Sequence, residues 1–335
     1  MSDPTATNSD APRRVLLAGA TGYIGRFVAR ELARRGHEVL APVRPRPDRD
    51  LDALRSTLPG CTLRSAPVTD RDGLADALEG ERIDAVISCI ATRNGEPADA
   101  WRVEHEANGH LLAVARDAGA RRFVLLSAIC VQRPTLAFQH AKLAFEADLQ
   151  TSDLGWSIVR PTAFFKSLAG QVERVRAGKP FLVFGDGRAT ACKPIGEADL
   201  ARFLVECLHD PALQERILPV GGPGPAITPE EQGAMLCELA GQPVRLKHVS
   251  PRLFDAVLAV LGPLGRWIPA LEGKAEFARI GRYYATESML LWDEARGGYD
   301  ADATPSYGTE TLRDFYARVL SEGMAGQELG EHKLF

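Results

Sequence analysis

Residues 15–26 read Val15-Leu-Leu-Ala-Gly-Ala-Thr-Gly-Tyr-Ile-Gly-Arg26. An apolar run of strand character ends in glycines at 19, 22 and 25, then passes into the helical pattern Arg26-Phe-Val-Ala-Arg-Glu-Leu-Ala-Arg-Arg35. Each glycine has its own job in a dinucleotide site. Gly19 turns the chain sharply off the strand, Gly22 leaves no Cβ where a pyrophosphate must approach the backbone, and Gly25 lets the helix sit close to the sheet. The helix then points its N-terminal amides and the positive end of its dipole at the phosphates. A bare glycine triplet is a weak signal; a strand before it and a helix after it supply the context such a motif requires. Thr21, Tyr23 and Ile24, which fill the turn between the glycines, are expected to contact the cofactor with them.

Working outward, strands are expected at 38–43, 61–68, 85–90, 122–127 and 156–160, with amphipathic stretches between them, clearest at 101–118 and 137–151. Apolar strands separated by helices imply right-handed βαβ units and an α/β fold, a doubly wound parallel Rossmann sheet. Residues 1–12 are polar and acidic and read as a disordered tail, 13–220 as the dinucleotide-binding Rossmann domain, and 221–335 as a smaller, mainly helical C-terminal lobe. That lobe, with helices expected at 228–240, 251–261 and 309–322, completes the substrate site. The boundary is soft: strands after Ile217 can still join the main sheet, and the lobe can interleave with 161–195.

Composition excludes several classes. At 335 residues, net charge −4 and a pI near 6.0, no basic field argues for nucleic acid. The six cysteines are scattered without a C-x-x-C pair, which suits reduced thiols in the cytoplasm and gives no disulfide framework or metal site. No apolar run reaches the ~18 residues of a membrane span. The stretch 251–264 is apolar on more than one face and reads as a buried helix or part of the ligand cleft, with shallow peripheral membrane contact as the alternative.

Ligands of such a sheet bind beyond the carboxyl ends of its strands. An NAD site places an acidic residue at the end of the second strand; here the chain reads Val43-Arg44-Pro45-Arg46-Pro47, with no carboxylate before Asp48. Arg44 can form charge-assisted bonds to a 2′-phosphate, which favours NADPH over the alternative of a solvated loop arginine. Asp70, after the third strand, is placed to approach the adenine. Ser88, Cys89 and Ile90, ending the fourth, should run alongside the cofactor.

The fifth strand brings a departure. Short-chain dehydrogenases follow it with a serine and then a Tyr-x-x-x-Lys helix, in which the lysine holds the nicotinamide ribose and the tyrosine exchanges a proton with a carbonyl oxygen. Ser127 and Lys142 are in place, but the residue four before the lysine is Phe138. Phenylalanine has no proton to give. Either the reaction needs no phenol there, or the site is catalytically dead; Lys142 is in both cases read as a ribose ligand and is the one catalytic candidate.

The glycine loop, Asn108, Arg160-Pro161-Thr162, Gly185-Asp186-Gly187, Pro194-Ile195 and Asp199-Leu200-Ala201 together resemble the atypical short-chain dehydrogenase/reductases. Residues 164–187, Ala141-Lys-Leu-Ala-Phe-Glu146 and Gly281-Arg-Tyr-Tyr-Ala-Thr-Glu-Ser-Met289 are especially similar to the NADPH-dependent 8-vinyl reductases of divinyl (proto)chlorophyllide. The resemblance runs from about Arg14 to near the C-terminus. It implies reduction of the 8-vinyl group of a magnesium tetrapyrrole to ethyl, in chlorophyll or bacteriochlorophyll biosynthesis, and a missing tyrosine as a family feature. It also implies cofactor contacts from Pro161 and Thr162.

That chemistry fits the departure. Hydride at one vinyl carbon and a proton at the other give an ethyl group; the developing carbanion delocalises into the macrocycle, so no alkoxide forms. The proton donor is left open among solvent, Lys142, His140, Cys130 and Tyr283. A flat apolar pigment calls for an aromatic cleft with a few polar anchors. Phe138, Phe164, Phe165, Lys166, Tyr283 and Tyr284 are the expected substrate contacts, with Trp267, Met289 and Trp292 enriching the same lobe. Lys166, Arg188 and Lys193 are the candidate partners of a propionate. Two other readings stay open: a non-catalytic NADP(H)-binding sensor or assembly factor, and an isoflavone-reductase-like enzyme acting on another conjugated alkene.

Overall fold

The computed structural model describes residues 13–45, 51–92, 95–265 and 269–323. The tail read over residues 1–12, Asp48 and Trp267 lie outside the described residues. Seven strands form one sheet: β1 (Arg14–Ala18), β2 (Glu38–Val43), β3 (Cys61–Ser65), β4 (Ala85–Ser88), β5 (Arg122–Leu126), β6 (Gly155–Pro161) and β8 (Arg216–Val220). Their order is β3-β2-β1-β4-β5-β6-β8, and every neighbouring pair is parallel. The third and fourth strands end earlier than the sequence pattern predicts, at Ser65 and Ser88.

Strand β1 explains why the sheet is covered on both faces. Alternate side chains of a strand point to opposite sides, so Val15 and Leu17 join Val28 and Leu32 of the helix Gly25–Arg34 and Leu200 and Leu204 of the helix Glu197–Glu206. Leu16 and Ala18 meet Leu111, Phe145 and Leu149 on the other side. A strand buried on both faces reads as an unbroken apolar run, as this one does. The strand order reverses between β1 and β4, and the crevice beyond their carboxyl ends is the switch point where such sheets take their ligands.

Beyond the sheet the chain builds two further apolar clusters. Phe165, Val172, Val175, Phe181 and Val183 pack with Leu236 and with Phe315 and Tyr316 of the helix Leu312–Glu322, beneath a small parallel pair of β7 (Phe181–Phe184) and β9 (Leu246–Val249). The second cluster joins Ile129, Cys130 and Phe138 to Ile280 and Tyr283 of the helix Pro269–Thr286 and to Met289. It lies next to the carboxyl end of β5, and the antiparallel hairpin of β10 (Leu291–Asp293) and β11 (Gly298–Asp300) follows it in the chain. None of these four short strands is marked by the sequence pattern. They are three or four residues long, too short for a period-two signal.

Candidate active site

The glycine loop closes on itself and on β4. Gly19 has φ +84°, and a Cβ there would stand 2.8 Å from the Cys89 carbonyl oxygen; one on Gly25 would stand 2.0 Å from the Gly19 oxygen. The Gly22 amide donates to that same oxygen at 2.8 Å. Thr21 and Tyr23 line the turn half-buried, while Ile24 is buried against the sheet. No side chain caps the helix Gly25–Arg34; in its first turn the Arg26 amide donates to the Gly22 carbonyl at 3.2 Å and the Phe27 amide to the Ile24 carbonyl at 2.9 Å.

Two features of that concavity bear on what it could hold. The Tyr23 hydroxyl is buried with no hydrogen-bond partner. The Lys166 ammonium lies 4.4 Å from the centre of the Tyr23 ring, and burial together with the charge of Arg26 lowers its pKa. Two cations that repel each other beside a helix N-terminus are relieved by a bound anion. The residues present therefore fit the pyrophosphate of a dinucleotide. Lys166, expected at a substrate propionate, stands over the ring of Tyr23 in the glycine loop.

Arg44 is exposed at the end of β2, and its charge reaches Asp99 on the helical segment Pro97–Ala100. Burial pushes the Asp99 carboxyl up, but bonds from Arg102 and Thr92, with the charges of Arg102 and Arg44, hold it below its ordinary value. Asp70 is a helix cap: its carboxylate accepts from the Gly73 amide at 3.2 Å at the start of the helix Arg71–Ala77. Ser88 is fully buried and donates to Asn108 at 2.6 Å, whereas Cys89 and Ile90 remain partly exposed beside the loop.

At the end of β5, Lys142 is nearly buried and donates to Glu104 at 2.7 Å. The other Glu104 oxygen accepts from the Thr92 amide at 2.9 Å. Glu104 belongs to a wide, π-helical turn, Trp101–Glu106, between Pro97–Ala100 and the helix Ala107–Asp117. Widened turns of this kind recur at functional sites. Sequence reasoning missed Glu104; the only local signal is an acidic residue one turn before Asn108, whose side-chain amide donates to the Glu104 carbonyl at 2.8 Å. Ser127 is turned inward: its hydroxyl donates to Glu146 at 2.5 Å, and Glu146 also binds Arg160. Its proton is committed to that buried network rather than offered to a ligand.

Phe138 is packed in the apolar cluster with Ile280 and Tyr283. Gly95 lies over it, so close to Ile280 that a Cβ would meet its Cδ1 at 2.4 Å. The position that holds a phenol in ordinary short-chain dehydrogenases is filled and sealed.

Comparison with known proteins bears on this arrangement. A family model for NAD(P)H-binding proteins matches residues 19–211. Divinyl chlorophyllide a 8-vinyl-reductase, chloroplastic, of Oryza sativa subsp. indica is 48% identical over 100% of this chain and 85% of its own length. The protein of the same name from Zea mays is 49% identical over 96% of this chain and 82% of its own. The chain belongs to the divinyl chlorophyllide a 8-vinyl-reductase family. Among solved structures, the epimerase Mth375 of Methanothermobacter thermautotrophicus shares the fold, with a TM-score of 0.69 at 16% identity over 98% of both chains. The protein is an oxidoreductase of the NAD(P)-binding Rossmann class.

With the family established, the substrate side can be sorted. Phe164 is half-buried against the sheet core, but Phe165 is 0% exposed, its ring tilted against that of Phe315 at 5.3 Å between centroids, so it is a core residue and not a pigment contact. The Arg188 guanidinium is bound to Glu230 on an exposed loop, and Lys193 is buried with its ammonium on the Thr304 carbonyl at 3.0 Å. Pro161 ends β6, paired in register with Val220, and the Thr162 hydroxyl donates to the Lys193 carbonyl at 2.5 Å. Tyr283 is buried and donates to the Cys130 carbonyl at 2.9 Å, whereas Tyr284 remains 37% exposed. The helix Arg252–Gly265, expected to be buried or part of the ligand cleft with shallow membrane contact as the alternative, leaves Leu253 and Val260 exposed and packs through Phe254 against Gly281. No described helix is long and apolar enough to cross a membrane, and no described cluster of His, Cys, Asp or Glu is placed to hold a metal.

Proposed function

We propose that this protein reduces the 8-vinyl group of divinyl (proto)chlorophyllide to ethyl with NADPH as the reductant, in the biosynthesis of chlorophyll or bacteriochlorophyll. When bound, the nicotinamide supplies the hydride. The chain's own residues do the rest. The loop from Gly19 to Gly25, with Arg26 and Lys166, holds the pyrophosphate; Arg44 takes the 2′-phosphate; Lys142, positioned by Glu104, holds the nicotinamide ribose. Cys89, Ile90 and Pro161 wall the ring, and Phe164 and Tyr284 face the pigment.

The observation that carries the reading is Phe138 beside an otherwise retained cofactor site. Alcohol and ketone chemistry needs a phenol at that position, and reduction of a conjugated alkene does not. Holding the vinyl carbon at about 3–3.5 Å in a water-poor cleft supplies most of the acceleration. The free thiols suit a reducing compartment, either the cytoplasm expected from the sequence or the chloroplast named for the plant relatives.

The test is direct. Purified protein is incubated with divinyl chlorophyllide a and NADPH, and the Soret band is followed as the vinyl group leaves conjugation. A blue shift, with an ethyl product by mass, is expected. An unchanged band with both pigment and NADPH bound would favour a non-catalytic dinucleotide-binding role.

A further inference from the structure

We propose that the helix Arg252–Gly265 docks this protein on an anionic lipid bilayer, through an aliphatic stripe on its outer face and the cations that lead into it. This surface plays no part in the reductase reading, and its docking stands or falls on its own. Residues 252–262 read Arg-Leu-Phe-Asp-Ala-Val-Leu-Ala-Val-Leu-Gly, apolar on more than one side of a helix. The inner side has its partners. Phe254 packs on the Gly281 backbone and tilts against the Phe184 ring at 5.3 Å between centroids. Leu258 and Leu261, four and seven residues on, share that side and are half-buried. Asp255 pairs with Arg282 at 2.6 Å. Gly281 and Arg282 both belong to the helix Pro269–Thr286, which therefore covers the side that carries Phe254 and Asp255.

The outer side has no such cover among the described residues. Leu253, Val257 and Val260, at i, i+4 and i+7, form one stripe and are 55%, 37% and 61% exposed. Of the eight large apolar side chains exposed among the described residues, four lie between 244 and 260, Val244 being the fourth. The exposure is thus concentrated and not scattered, which marks an interaction surface. Its charge names the partner. Arg245, Lys247 and Arg252 are exposed just before β9, within it and at the first helical position. The one acid between residues 244 and 262, Asp255, is already paired with Arg282. An aliphatic stripe with an unopposed positive rim matches acyl chains beneath negative headgroups. A second copy of the chain fits less well, because three side chains along about 10 Å of helix fall far short of the about 800 Å² per partner of a stable interface. At 14 residues the helix is too short to cross a bilayer and lies in its surface. The helix behind it, Pro269–Thr286, carries Ile280 and Tyr283 of the cluster around Phe138, so docking holds that cluster one helix layer from the lipid.

The experiment uses the full chain and vesicles of phosphatidylcholine, with and without phosphatidylglycerol. Flotation is read at low salt and at about 0.5 M salt, where surface charge is screened. Wild type is expected to float with the phosphatidylglycerol vesicles, to release them as salt rises, and to leave phosphatidylcholine alone largely unbound. Leu253→Asp combined with Val260→Asp should weaken binding by about tenfold or more with the melting temperature unchanged. Lys247→Glu combined with Arg252→Glu should cost a similar factor, since each cation near an anionic surface contributes about fivefold. Wild type that stays off the phosphatidylglycerol vesicles overturns the proposal, as does an aspartate pair that floats like wild type. A wild-type dimer that the aspartate pair splits, with no flotation, gives the face to a second copy and overturns it too. Should the aspartate pair fail to fold, the charge-reversed pair, placed on exposed side chains, decides: flotation equal to wild type sinks the assignment.

Discussion

Phe138 and Arg44 are single residues that narrow the chemistry of a common fold. A hydroxyl added at 138 would enter the space closed by Ile280, Tyr283 and Gly95. Phe138→Tyr is therefore expected to lower stability by about 1–3 kcal/mol, the cost of an unsatisfied buried hydroxyl, without raising activity. Denaturant unfolding beside the pigment assay checks both; a stable variant with much higher turnover would return the proton to the ordinary position. In the proposed site Arg44 acts through its charge on the 2′-phosphate, so Arg44→Asp should weaken NADPH binding far more than NADH binding. Equal losses in a paired titration would refute the phosphate role. Both residues are legible in the sequence because their meaning depends on position relative to a motif, four before a lysine or one after a strand. Lys166 is not. Its spacing says only that it follows β6, and its place over the Tyr23 ring comes from how the chain returns to the glycine loop.

Elements decide how tightly the loop and helix are joined. The missing Cβ of Gly25 lets the backbone of Gly19 pass underneath, at a separation no side chain could share. Gly25→Ala must push the helix Gly25–Arg34 off the strand, which misaims its amides; the rise in melting temperature that NADPH gives the wild type is expected to vanish. A variant that keeps that rise would show that the helix end does not hold the phosphates. The glycine loop, most of the parallel strands and the helices Gly25–Arg34, Ala137–Gln150 and Pro229–Leu239 follow from local periodicity, whereas the helices Glu197–Glu206 and Pro269–Thr286 are not marked by it. The π-helical turn at Trp101–Glu106 does not follow. Its sequence is compatible with an ordinary helix, and in the wider turn Glu104 meets both Lys142 and the Thr92 amide, partners that no local window contains. Phe165 is misread from sequence for a related reason: an aromatic residue after a strand looks the same whether it faces a ligand or, as here, the Phe315 ring.

Over the whole molecule, distant segments are tied by contacts whose partners no local window contains. His37, where the chain enters β2, stacks on His209 beyond the helix Glu197–Glu206, with Nε2 atoms 3.1 Å apart, and its Nδ1 accepts from the Arg13 amide. Burial, then the charges of His209, Arg13 and Arg35, lower the His37 pKa to about 4. Between its unfolded value near 6.5 and about 4, the unfolded chain takes a proton that the folded chain refuses, so this site's contribution is whole above pH 6.5 and lost as pH falls. The loss by pH 4 is about 3 kcal/mol. His37→Gln should flatten that part of the stability curve in urea titrations from pH 7 to 4; an unchanged slope would show that the histidine pair does not set the acid limb.

The dinucleotide loop, the parallel sheet and the absence of the usual phenol can be read from residue order alone, since each is written in neighbouring residues whose backbone geometry and spacing carry the meaning. Packing of distant segments pairs Lys142 with Glu104, 38 residues away, sets Lys166 over the Tyr23 ring, buries Phe165 against Phe315 and stands Tyr284 beside Tyr283. Charge, burial and proton supply are properties of what a side chain touches, and contact is settled by the packing of elements that the chain order keeps apart.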